Sequence, residues 1–192
     1  MVMGLLALFI RELAAPYCVA CTLIAAGNRR WRELAAWIAG ACAYAGYYGW
    51  HVTQVWAHRL PTDWAEPSPW LGFPGLPFLV AIVHWQGWLL AAPSPLAALA
   101  LVLIVAGIAH PRAPLHLRLG SAAYVGFFLA VGRMYNDYWG PVAWPTWAAA
   151  CGFGVDTTMR AIRTAFRRPS VACPRPGGDT GGGRGVPPSK PT

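Results

Sequence analysis

A chain of 192 residues that is 56% hydrophobic and only 11% charged falls far below the roughly 25% charged residues of an ordinary soluble domain. Its 11 Trp and 7 Tyr weight it toward residues that favour membrane–water interfaces. The net charge of +8 does not indicate nucleic acid, because the arginines cluster at the ends of apolar runs, where charges orient membrane spans.

The first apolar segment, about residues 3–27, is long enough to span if helical, since roughly 20 residues cross the hydrocarbon. Arg11 and Glu12 interrupt it, each unfavourable by about 2.5–3.5 kcal/mol at a bilayer centre. They imply either an interfacial helix or charges turned toward another span. With no basic leader, the segment reads as a retained helix rather than a signal peptide. A basic turn, "NRRWRE", follows.

Residues 34–57 carry the clearest helical pattern. Ala35, Ala39 and Ala43 recur every fourth residue, as do Ala41, Ala45 and Gly49, and small residues so spaced let helix backbones approach closely. Residues 58–75, with repeated Pro and Trp, read as a surface loop. As one helix, residues 76–109 would reach about 51 Å, too long for a ~30 Å core. "PSP" at Pro93–Pro95 divides them into a kinked crossing or a hairpin. A single net crossing leaves only Arg59 and Arg133 opposite the other assigned basic residues, so the charge bias favours it.

Two further spans are expected at about 117–134 and 141–158, the first with a small-residue face at Ala122, Gly126 and Ala130. Between them "RMYNDYWGPVAWPTW" reads as an interfacial hairpin turn. Arg133 and Asp137 stand at i,i+4, Asn136 lies between, and Tyr135 and Trp139 sit at headgroup depth. The final helix continues into a basic extension, with Asp156 and Arg160 again at i,i+4. These elements define a membrane helical domain, 1–168, and a Pro/Gly/Arg-rich tail, 169–192, that reads as disordered.

Residues 115–168, with "LHLRLGSAAYVGFFL", the aromatic turn into "YWGPVAWPTW" and the run "CGFG", resemble the two-transmembrane-helix (2TM) domain family. The resemblance implies a helical hairpin whose Trp-Pro pair starts the second helix, and it implies no chemistry.

Two constellations bear on chemistry. Cys18 and Cys21 in "PYCVAC" have the C-x-x-C spacing of thiol–disulfide exchange, in which one thiolate attacks and the other resolves. No second, water-accessible pair is evident to relay electrons. His51 and His58 lie two helical turns apart, and with His84 three imidazoles could hold a metal or two could ligate a haem. Neither a nucleophile nor paired carboxylates accompany the aromatic turn, so no catalytic set is expected.

The sequence therefore predicts an all-α, polytopic integral membrane bundle of about five spans with a Pro-broken third segment. It places the chain in a bacterial or phage-encoded cell membrane, multi-pass, with a cytoplasmic C-terminus. A single Lys among 15 basic residues, with much Ala, Gly and Pro, fits a GC-rich genome. The function that fits best is a non-enzymatic factor in the lipid bilayer, acting through helix–helix contacts as a homo-oligomer or with a membrane complex. A membrane thiol oxidoreductase at Cys18 and Cys21, a pore or small transporter, and a holin-like lysis factor are the alternatives. No cofactor and no nucleic-acid partner is implied.

Overall fold

The structure, a computed structural model, describes residues 1–60 and 71–166. Over these residues the chain is helical apart from an isolated bridge between Leu71 and Val131. Seven α-helices follow in order: α1 (Val2–Ile10), α2 (Ala15–Gly27), α3 (Trp31–Ala57), α4 (Gly75–His84), α5 (Ser94–Ile108), α6 (Leu115–Ala130) and α7 (Trp144–Phe166). Short 3-10 turns lie at Glu12–Ala14, Gly87–Ala91 and Met134–Val142. Most of the 58–75 loop and all of the 169–192 tail lie outside the described residues.

The all-helical expectation holds, but the five-span membrane bundle does not. Among the described residues no helix is long and apolar enough to cross a membrane. The physical reasons differ from helix to helix. Arg11 adopts extended backbone (φ −153°, ψ 124°) and cuts the first apolar segment into helices of 9 and 13 residues. At 1.5 Å per residue these reach only about 14 and 20 Å. Helices α5 and α6 are apolar but have 15 and 16 residues, about 22–24 Å against a ~30 Å core. Helices α3 and α7, of 27 and 23 residues, have the length. Their Tyr, Trp, Gly, Thr and charged residues dilute the hydropathy. The membrane topology inferred from arginine positions loses its spans with them.

The awkward stretch 76–109 folds as two helices packed on each other, α4 and α5. Pro93 restricts Ala92 to extended backbone (φ −92°, ψ 152°), and Pro95 then sits in the first turn of α5, where its missing N–H costs nothing. At the other end Gln86 also leaves the helical region (φ −106°, ψ 98°). The break is thus wider than the proline pair alone.

The core forms where α4, α5, α6 and α7 meet. Phe78, Ile82, Ile104, Phe128 and Trp147 are fully enclosed there. Helix α2 lies along α6. Helices α1 and α3 flank α2 and share a smaller cluster of Leu8, Ala14, Cys18, Ala25 and Trp37. After residue 70 the chain runs along the end of α6, with the Phe73 N–H donating to the Ala130 carbonyl at 3.2 Å. Gly132 beside it has φ +131°, and a Cβ there would lie 2.5 Å from the Phe78 ring. Only glycine satisfies both conditions.

Candidate functional site

Cys18 is buried on α2, and its S–H donates to the Gly4 carbonyl of α1 at 3.4 Å. Cys21 is half-buried one turn further on. Burial pushes both thiols above their ordinary range, and for Cys18 the neighbouring Cys21 adds to it. The Tyr17 hydroxyl beside them is pushed up to about 12, by burial first and then by Cys21. Thiol exchange needs a stabilised thiolate, the opposite of this environment. The pair ties α2 to its neighbours.

The three imidazoles are not brought together. His51 stacks on Tyr47, with ring centroids 6.1 Å apart. A ring nitrogen of His58 lies 2.8 Å from the Gln54 carbonyl, so it satisfies the end of its own helix. His84 reaches the Ala92 carbonyl at 2.9 Å, bridging α4 to the segment before α5. No three metal-ligating side chains converge among the described residues.

The aromatic turn is less exposed than an interfacial belt. Tyr135 and Tyr138 are exposed, whereas Asn136 and Trp139 are buried. Arg133 donates to the Tyr135 hydroxyl and lies over its ring, while Asp137 accepts from the Tyr138 N–H at 2.9 Å. The turn presses onto α4. At Gly140 a Cβ would lie 1.9 Å from Gln86 Nε2 and 2.3 Å from the Ile82 carbonyl oxygen. Buried Gln86 donates to that same carbonyl at 2.6 Å. The turn is therefore a plug in the fold, held by backbone approach.

The closest helix crossing lies elsewhere, between α5 and α7. A Cβ on Gly107 would fall 1.8 Å from the Ala150 carbonyl oxygen, and one on Gly154 would fall 1.9 Å from that of Leu103. Cys151 donates to the Ala100 carbonyl and Thr157 to that of Ala106, each at 3.4 Å. The spacing Ala150-x-x-x-Gly154 was the signal in the sequence for this seam.

At one end of the seam lies a polar network. The Arg112 N–H donates to His110 Nδ1 at 3.1 Å, so the ring proton sits on Nε2. That Nε2–H donates to Asp156 at 3.0 Å, and the same carboxylate oxygen accepts from Arg160 at 2.8 Å. Both ring nitrogens of buried His110 are used, which leaves no free base. Arg160, and after it His110, hold the Asp156 carboxyl below the usual range. A carboxylate depressed in the folded state stabilises above its unfolded value, near 3.9, and the benefit is lost as pH falls through the folded value. Asp156→Asn should therefore lower the urea midpoint at pH 6. The gap from wild type should close as the titration passes below about pH 4.

Among the described residues the predicted small-residue faces are mostly left open. On α6, Ala122 and Gly126 are exposed and Ala130 is half-buried, with no atom within 4 Å of a Cβ built on Gly126. On α3, Ala35, Ala39 and Ala43 are all exposed. The inward face of α3 is instead carried by buried Trp37, by Gly40 against Leu5, and by half-buried Tyr44. From residue 45 to residue 57 every side chain is exposed except half-buried Val52. Among the described residues the distal half of α3 is only lightly covered, with Trp50, Val55 and Trp56 exposed. Comparison with known protein families, with curated proteins and with solved structures finds no match.

Proposed function

We propose that the protein is a non-enzymatic factor that acts through helix–helix contacts, in its own oligomer or within a larger complex. The carrying observation is the outward face of α3. Ala35, Ala39, Ala43 and Gly46 follow one another at four- and three-residue intervals, which places them on a single strip of the helix, and all are exposed. A strip of small side chains permits a short interaxial distance, because helix separation is set by the side chains at the contact. The distal half also needs support. Beyond Tyr47 its described side chains are mostly exposed, and a partner helix would bury apolar ones now left open, Trp50 among them.

The oxidoreductase reading finds one thiol buried, the other half-buried, and both pushed up. The pore, transporter and lysis readings required membrane spans, and among the described residues no helix qualifies.

Sedimentation of the purified chain over a wide concentration range tests the proposal. Ala39→Leu with Ala43→Leu keeps helix propensity and fills the strip. The assembled species should dissociate to single chains without loss of helicity. An assembly unchanged by this pair would remove the strip from any role in association.

A further inference from the structure

The side of α3 turned toward α1 carries a different chemistry from the alanine strip. Tyr44, Tyr47 and Tyr48 stand at i, i+3 and i+4 and so share a face. Phe9 of α1 closes the opposite wall, edge-on to Tyr44 at 5.6 Å and tilted against Tyr47 at 5.5 Å. Tyr44 and Tyr48 lie 5.9 Å apart. These rings line an open groove of about 450 Å³, on whose rim stands Glu12.

The carboxylate is close enough to Tyr44 to act on it, since the Tyr44 hydroxyl is pushed up by burial first and by Glu12 next. Among the described residues Glu12 has no ion-pair partner. Two basic side chains also face the groove, Arg11 and His51. The Arg11 guanidinium lies over the Tyr138 ring, 5.7 Å from its centroid, and His51 is stacked on Tyr47. Both are engaged by rings of the protein itself.

We propose that this groove binds an organic cation of the quaternary-ammonium class, its methyl groups against the rings of Tyr44, Tyr47 and Tyr48 and its charge balanced by Glu12. The negative faces of Tyr and Trp attract a cation, and a quaternary ammonium, with no N–H to donate, depends on that attraction. A carboxylate at the rim adds Coulomb attraction and disfavours anions. An uncharged apolar ligand would draw nothing from Glu12. The proposal stands apart from the assembly reading, because it uses the other side of α3.

Isothermal titration with choline, and with its uncharged isostere 3,3-dimethyl-1-butanol, tests it directly. Choline should bind, and the isostere should bind on the order of tenfold more weakly. Tyr47→Phe keeps an aromatic face and should retain affinity, whereas Tyr47→Leu should lose about tenfold. Glu12→Gln should weaken choline binding and reduce its salt dependence. Tyr47 is 41% exposed, so these variants should melt with wild type. Equal affinity for choline and its isostere, an unaffected Tyr47→Leu, or no heat from choline at millimolar concentration would each overturn the assignment.

Discussion

Gly154→Ala is expected to cost about 3 kcal/mol or more, enough to remove much of the stability of a domain of ordinary marginal stability. The added methyl would lie 1.9 Å from the Leu103 carbonyl oxygen, 2.7 Å from its carbon and 3.0 Å from its Cα. All three are backbone atoms of α5, so no side-chain rotation relieves the contact. The two helices would have to separate, and buried Leu101, Ile104 and Ala150 along the seam would lose close packing. Gly152, on the same helix, provides the control. Among the described residues nothing outside its own helix lies within 4 Å of a Cβ built there. Gly152→Ala should therefore stabilise by about 0.5–1 kcal/mol through helix propensity alone. Urea midpoints of the two variants should move in opposite directions. Midpoints moving together would show that α5 and α7 do not approach as described.

Helix content was legible in the sequence because it is written locally. The pattern over 34–57 is realised as α3, and the Pro93–Pro95 pair marks the start of α5. The first segment was harder. Arg11 and Glu12 were visible as an interruption of an apolar run, yet a continuous helix and two short ones have the same composition. The extended backbone at Arg11 decides for two. The membrane reading failed for a related reason: high total apolarity measures how much must be covered, while spanning requires length and hydropathy in one helix. Here the two properties fall on different helices.

The chemistry-bearing residues show a second limit. C-x-x-C spacing establishes that two thiols are near each other on a helix, but the reactivity of Cys18 and Cys21 depends on what buries them. The His110–Asp156 bond joins residues 46 apart, beyond the reach of any periodicity. The small-residue strips are the sharpest instance. Ala35-x-x-x-Ala39 and Ala150-x-x-x-Gly154 are the same pattern, yet one faces outward and the other holds the tightest crossing in the fold. Sequence spacing identifies a helix face capable of close approach; only the tertiary arrangement shows whether the chain uses it or leaves it open.

The same division between inward and outward faces governs two tryptophans with opposite expectations. Trp147 is wholly enclosed, edge-on to Phe128 at 5.9 Å, and its indole N–H donates to the Ser121 carbonyl at 3.3 Å. It fastens the first turn of α7 to α6. Trp147→Ala should cost about 3–5 kcal/mol, through lost burial and the cavity left behind. Trp147→Phe retains most of the ring contact and forfeits the hydrogen bond, which points to a loss nearer 1–3 kcal/mol. Trp50, 58% exposed on the distal half of α3, has no such role among the described residues. Trp50→Ala should leave the unfolding free energy at low concentration within about 0.5 kcal/mol of wild type. Under the proposed function it should nevertheless weaken association in sedimentation, because that side chain is among those a partner helix would cover. A stability loss at Trp50 matching that at Trp147 would place the distal half of α3 inside the monomer's core and would leave the assembly proposal without its surface.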